Sequence, residues 1–390
     1  MIVINNEYDL RLDTADRLLD HYLHLTGWAE GLADAGAQVT VFQRYDRDAE
    51  VWRKGVCYRL CTDGHPPKLR SWQVPRRLHG MVREHCRGRL AAGSPTVVHL
   101  GGLVYPVQTR HLSAVLPSAC ALAVQHHAEL PRAGLRGYLQ AWGLRRVDGF
   151  LFTCRELAAN WIDRRIIRSQ ELVYEVMECS SLLAYQDRGA ARRLTKMSGS
   201  PIVLWTGNLT SNKDPLTILS GFERVLARVP TARLYMVYRR ADLLDQVRAT
   251  IEQRAPLRPT VSLLGEIPYA EIGPYYNSAD LFVQGSAKEG SGIAVLDSLA
   301  CGVVPVVTEI PSFRTILADG AVGALWPVGH ADAFAGAMLR VLETPFECQS
   351  HAARQLFQSR WTYSAIGREA VRVYQELLRR RAEPARIGPG

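Results

Sequence analysis

The chain has 390 residues, 47% of them hydrophobic, and a formal net charge of +9. That length predicts two domains of ordinary size, and the composition excludes a disordered or fibrous chain. No window approaches the roughly 18 apolar residues of a membrane span. The opening stretch, MIVINNEYDLRLD, reaches charge too early for a signal peptide. A soluble cytoplasmic protein is therefore expected.

In chain order, MIVIN predicts a first strand, and YLHLTGWAEGLADAG a helix that stops at Gly36. AQVTVFQR, TVVHLGG, CALAVQHH, GFLFTC and ELVYEVM follow as apolar, strand-like runs. Strands alternating with longer amphipathic stretches give the βαβ rhythm of a parallel sheet covered on both faces. Residues 68–89 hold Lys68, Arg70, Arg76, Arg77, Arg83, Arg87 and Arg89 against one acid, Glu84. Such a face is either simply solvated or meets an anionic partner such as lipid or a phosphorylated substrate. No nucleic-acid motif accompanies it. Eight cysteines are scattered without a CxxC pair, which predicts buried free thiols and neither a zinc site nor a disulfide framework.

Residues 184–201, AYQDRGAARRLTKMSGSP, have linker composition. A second series then begins. IVLWTGN predicts a strand, DPLTILSGFERVLARVP a helix, ARLYMVY and TVSLLG two strands, IGPYYNSA a helix, and DLFVQG and VVPVVT two more strands. YSAIGREAVRVYQELLRRR predicts an amphipathic helix and AEPARIGPG a frayed end. The expected domains are residues 1–190 and 200–362, with a C-terminal helix over 363–385 packing back on the first.

Residues 286–302, SAKEGSGIAVLDSLACG, follow the DLFVQG strand. A helix is predicted from Ser291, with Ile293, Leu296 and Ala300 at helical spacing and Gly302 as its stop. Ligands of open α/β sheets bind beyond the carboxyl ends of the strands. A helix start there favours an anion, and Gly290 and Gly292 let a phosphate approach the backbone. Glu289 and Asp297 would lie about 12 Å apart on a helix running from Glu289. That is wider than the roughly 5–9.5 Å carboxylate spacing of glycoside hydrolases. It suits a ligand with hydroxyl-bearing ends and an anion between them, as in a nucleoside diphosphate sugar. The alternative is that Glu289 caps the helix and Asp297 is a satisfied, half-buried side chain.

EGSGIAVLDSLACGVVPVV resembles the E-x7-E motif of retaining glycosyltransferases with the GT-B fold, family 4 (glycosyl transferases group 1). GEIPYAEIGPYYNSADLFVQGSAKEG, IPSFRTIL and WTGNLTSNKDPLTIL are similar to the family's flanking segments. The likeness is strong over residues 200–361 and weaker over 1–199. It implies an α/β fold of two Rossmann-like, doubly wound domains facing across a cleft. It also implies transfer of a sugar from a nucleoside diphosphate sugar to an acceptor hydroxyl with retention, UDP being the family's commonest base. The nucleotide sugar is a co-substrate, and neither cofactor nor metal is implied.

By the same resemblance, Glu289 meets the donor sugar, and Gly290, Ser291, Gly292 and Ile293 give amides to the diphosphate. Asp297 holds the ribose, and Lys213 neutralises the departing phosphate. A histidine at the end of ALAVQHHAELP touches the donor sugar. His126 and His127 both qualify, with His127 preferred because Glu129 follows, and His99 is a weaker candidate. Three features depart from the pattern. The second acid is Asp297 where the family has Glu. Asn208 stands where the family has Arg, with Arg239 or Arg240 as the nearest replacements. The loop after the first strand, NNEYDLRLD, has no glycine.

The acceptor, whether small molecule, glycan or lipid-linked, falls to the N-terminal domain. The basic stretch 68–89 and the arginines from Arg132 to Arg168 offer that domain a peripheral contact with the inner membrane face. Nucleic acid is not an expected partner. Two other readings stay open: a sugar-nucleotide epimerase of the same fold, and a non-catalytic sugar-nucleotide-binding subunit.

Overall fold

The computed structural model describes residues 1–383. Residues 384 and 385 of the expected helix, and most of the AEPARIGPG tail, lie outside the described residues. The chain divides into two compact units, Met1–Cys179 with the segment from Tyr363 onward, and Ser180–Thr362.

The first unit holds eight strands: β1 (Ile2–Asn5), β2 (Val39–Arg44), β3 (Ala49–Arg53), β4 (Val56–Cys61), β5 (Val97–Gly101), β6 (Ala121–Gln125), β7 (Gly149–Phe152) and β8 (Val173–Glu175). Their order is β3-β4-β2-β1-β5-β6-β7-β8, parallel except for β3. The inner strands are apolar runs because helices cover the sheet on both faces. Ile4, Phe42, Leu100, Val124 and Phe152 form one continuous core with the covering helices. The β3–β4 hairpin was not predicted. It turns at Lys54 and Gly55, both with positive φ, and its edge strand β3 alternates exposed and half-buried residues. The basic stretch becomes the helix Arg76–Ala91. Arg77 is paired with Asp48, Arg83 and Arg87 with Glu84, and Arg89 with the Gln38 side chain.

The helix Tyr363–Ala382 also belongs to this unit and crosses the helix Leu23–Asp34 at closest range. A Cβ added at Gly367 would stand 2.0 Å from the Gly31 carbonyl oxygen, so the contact requires glycine on both sides. Arg44, fully buried, forks onto Asp63 at 2.6 and 2.9 Å. The same guanidinium donates to the carbonyls of Asn6, His65, Pro66 and Pro67, which fixes the loop after β1 against residues 63–67.

The second unit holds β9 (Ile202–Gly207), β10 (Arg233–Tyr238), β11 (Val261–Gly265), β12 (Leu281–Gln284), β13 (Val304–Thr308) and β14 (Ala324–Trp326), all parallel, in the order β11-β10-β9-β12-β13-β14. Renumbered within the unit this is 3-2-1-4-5-6, the doubly wound order whose direction reverses between its first and fourth strands. Val203, Trp205, Leu234, Met236, Val283 and Val306 fill the core beneath.

Residues 184–201 are not a free linker. They contain the helix Arg188–Thr195, which packs on the helix Gly273–Ser278 and is tied to Asp280 through Arg188 and Arg192. The division between the units accordingly falls at Cys179–Ser180, about ten residues before the expected position. An exposed helix held by ion pairs has a polar sequence, and that composition is what resembles a linker.

Candidate functional site

In the second unit the reversal of strand order places the loops after β9 and β12 side by side. The Ala287 N–H donates to the Asn212 carbonyl at 2.8 Å, and the Asn212 side chain donates to the Lys288 carbonyl at 3.0 Å. Gly285 permits this approach, since a Cβ there would lie 3.1 Å from the Asp214 carbonyl oxygen. Asp214 in turn accepts the Thr217 N–H and starts the helix Pro215–Leu226. The stitched loops bring together two candidates that lie 76 residues apart: Lys213 Nζ donates to Glu289 Oε1 at 2.5 Å, with 19% and 15% of the two side chains exposed.

The helix of the motif runs Ile293–Ala300, two residues later than predicted. Gly292 precedes it with φ of 59° and no side-chain cap. A Cβ at Gly292 would also lie 2.7 Å from the Phe313 ring, so backbone angle and packing both demand glycine. The first amide to reach a carbonyl is that of Val295, on Gly292 O. Among the described residues the amides of Gly290, Ser291, Gly292 and Ile293 donate to no backbone carbonyl. They open the helix beside the Lys213–Glu289 pair, which is the arrangement of an anion site. Glu289 does not cap the helix, because its carboxylate is taken by Lys213.

With the helix starting at Ile293, the spacing estimated for a helix from Glu289 no longer applies. Asp297 is 3% exposed. Its Oδ1 accepts the Ser181 hydroxyl at 2.5 Å and the Tyr269 hydroxyl at 2.9 Å. Burial raises its carboxyl to about 7, and the two hydroxyl donors pull the other way. The structure therefore places Asp297 in a polar pocket of the unit's interior. Ser181 and Tyr269 were missed by sequence reasoning, since neither lies near Asp297 in the chain.

Asn208 accepts the Arg240 N–H at 3.2 Å, and the Leu209 N–H donates to the Arg240 carbonyl at 2.8 Å. The backbone of Arg240 is thus docked on the loop after β9, while its guanidinium is exposed and paired with Asp242 at 2.8 Å.

In the first unit the two adjacent histidines part. His126 turns into the core, stacks on Phe152 at 4.5 Å and bonds the Glu129 carbonyl through Nε2 at 3.0 Å. Burial lowers its basicity. That environment corrects its candidacy: His126 serves the packing of the sheet. His127 lies at the carboxyl end of β6, its ring 46% exposed. Its Nδ1 bonds Glu178, and its N–H donates to Glu129 at 2.7 Å. Burial opposes the charge, but the Glu178 hydrogen bond and the Glu178 and Glu129 charges outweigh it and raise the imidazole above its ordinary value. Gly101 leaves room for the ring, because a Cβ there would meet His127 Nε2 at 2.8 Å. His99 is buried, bonded through Nδ1 to the Tyr374 hydroxyl at 2.6 Å and packed on Trp28. Burial lowers it to about 3, so it is a neutral structural group. In place of a glycine-rich turn after β1, Glu7 accepts the Tyr105 hydroxyl at 2.9 Å. No group of three His, Cys, Asp or Glu side chains is arranged to hold a metal among the described residues.

Two α/β units, each a largely parallel sheet with its candidate residues at the strands' carboxyl ends, define the GT-B type of fold. Residues 200–344 match the family model described as Glycosyl transferases group 1. The phosphatidyl-myo-inositol mannosyltransferase of Mycolicibacterium smegmatis is 28% identical over 165 residues, which is 42% of this chain and 42% of that protein. This chain thus spans less than half the length of that relative. A D-inositol 3-phosphate glycosyltransferase of an Arthrobacter species is 23% identical over 325 residues, 78% of this chain and 77% of the relative. The sucrose-phosphate synthase of Thermosynechococcus elongatus superposes with a TM-score of 0.66 at 18% identity, covering 97% of this chain and 99% of its own. Anabaena HepE, solved in complex with UDP, gives 0.65 at 12% identity, covering 96% and 99%. These solved structures share the fold.

Proposed function

We propose that the protein is a retaining, metal-independent glycosyltransferase that moves a sugar from a nucleoside diphosphate sugar, UDP-linked by preference, to an acceptor hydroxyl. The observation that carries this reading is the Lys213–Glu289 pair set beside the unpaired amides of Gly290 to Ile293, where strand order reverses. In the proposed reaction the diphosphate lies on those amides. Lys213 leaves Glu289 and offsets the charge that builds on the departing phosphate, and the freed Glu289 carboxylate accepts hydrogen bonds from the sugar hydroxyls. The acceptor oxygen bonds to the anomeric carbon on the face from which the phosphate oxygen departs, and its proton passes to that leaving oxygen. Glu289 is not a nucleophile here. His127, held by Glu178 and Glu129, is proposed to touch the sugar.

The relatives' names include a lipid headgroup and an inositol phosphate as objects of transfer. They support a polyol or lipid-linked acceptor, and with it a peripheral position at a membrane.

The test is a thermal-shift series with UDP, GDP and dTDP, followed by donor turnover with and without candidate acceptors. One nucleotide should raise the melting temperature by mass action, and Lys213→Ala should remove turnover while leaving the fold intact. An epimerised donor without acceptor would replace the reading by an epimerase. Nucleotide binding with neither transfer nor donor hydrolysis would replace it by a binding subunit. No response to any of the three nucleotides would overturn it.

A further inference from the structure

The helix Gly134–Leu144 of the first unit turns most of its large apolar residues outward and buries only Leu144 in the core. A surface helix normally buries its large apolar residues. Here Leu135, Tyr138, Leu139 and Trp142 are 87%, 77%, 43% and 48% exposed. Their spacing of three, four and seven residues puts them on one face. The inner face is made of Gln140, Gly143 and Leu144, and of these Leu144 alone is a large apolar group in the core. Gly143 sits so close to Pro106 that a Cβ would fall 2.4 Å from its carbonyl oxygen, and Gln140 accepts the Arg132 N–H at 2.7 Å. The helix is therefore seated firmly on its neighbour, and its apolar ridge faces outward. Contiguous exposed apolar surface of this kind marks a docking site.

The charge around the ridge identifies what docks. Residues 130–147 contain Arg132, Arg136, Arg145 and Arg146 and no acid. At the helix's end Arg145 and Arg146 join Arg110, Arg168 and Arg381 around a pocket of about 780 Å³, whose one acid, Asp148, is paired with Arg381. Arg110 lies over the Trp142 ring at 5.3 Å and connects the pocket to the ridge. The arginines of residues 76–89, by contrast, are largely occupied by acids and by Gln38. An apolar ridge of Leu, Tyr and Trp rimmed by unneutralised arginines complements an anionic lipid surface. The side chains enter the acyl boundary, and the guanidinium groups meet lipid phosphates.

We infer that the outward face of the helix Gly134–Leu144, with the adjoining arginine pocket, docks the protein on an anionic bilayer. This deepens the peripheral-membrane part of the proposed function by naming its surface, and it stands independently of the transfer chemistry.

The experiment is co-sedimentation of the full chain with vesicles of phosphatidylcholine alone and of phosphatidylcholine mixed with phosphatidylglycerol. Binding is expected to the mixed vesicles only, and to weaken with salt. Leu135→Glu with Tyr138→Glu should lower the partition by more than about tenfold. Arg145→Ala and Arg146→Ala should each lower it by roughly fivefold. Both acidic substitutions fall at exposed positions, so melting temperature and the response to UDP should match the parent chain. Failure to bind mixed vesicles, or equal binding by the double variant, overturns the inference. A parent dimer that the double variant converts to monomer also overturns it, because the ridge then covers a second copy. If none of UDP, GDP and dTDP produces a shift while vesicle binding persists, the transfer reading fails and the docking surface stands.

Discussion

Replacing Asp297 by Asn changes one atom type in a buried pocket, and its consequence depends on pH in a definite direction. The carboxyl is raised from its usual 3.8 to about 7, chiefly because burial disfavours the charged form. Below about pH 4 folded and unfolded chains both hold the proton, and the group adds no pH dependence. Between about 4 and 7 the folded chain keeps a proton that the unfolded chain has released, so stability falls as pH rises, and it levels off above about 7. The gap corresponds to roughly 4 kcal/mol at 1.36 kcal/mol per pH unit. An Asn side chain carries no titrating proton, and its carbonyl oxygen can still accept from Ser181 and Tyr269. Asp297→Asn should therefore match the parent near pH 4 and exceed it by up to roughly 4 kcal/mol at pH 8. Urea unfolding of both chains at pH 5 and pH 8, followed through the transition of the second unit, measures this. A variant less stable than the parent at pH 8, or a parent whose midpoint does not fall between the two pH values, would refute the reasoning.

Lys213→Ala should lower donor turnover by about 10²–10³-fold, the usual loss when one charge-stabilising donor is removed, as read in single-turnover kinetics. Arg44→Met should cost about 3–5 kcal/mol because it leaves Asp63 buried and unpaired; Asp63→Leu added to it should recover much of the loss in urea titrations. Gly367→Ala forces a methyl against the Gly31 carbonyl and should cost about 1–3 kcal/mol, with faster hydrogen exchange in the helix Tyr363–Ala382. His127→Ala should lower turnover, while His126→Ala should lower the melting temperature by opening a cavity beside Phe152 and Trp161.

The strands were legible because a parallel sheet buried on both faces leaves runs such as ALAVQ and IVLWTG with few polar interruptions. The motif around Glu289 was legible because its glycines answer to local backbone demands. Three things were not. The β3–β4 hairpin turns on Lys-Gly, which lacks the Asn-Gly signal of a tight turn. The helix Arg188–Thr195 is anchored through Asp280, some ninety residues on, and nothing local marks that partner. The surroundings of Asp297 come from Ser181 and Tyr269. Alternation along a strand predicted that His126 and His127 face opposite ways. Which one turns inward depends on Phe152 and Trp161 of neighbouring elements.

The most direct measurement is a crystal structure of the protein with UDP bound. The account predicts the diphosphate on the amides of Gly290 to Ile293, with Lys213 Nζ drawn from Glu289 toward the terminal phosphate. A nucleotide lodged elsewhere, with the Lys213–Glu289 pair intact, would contradict it.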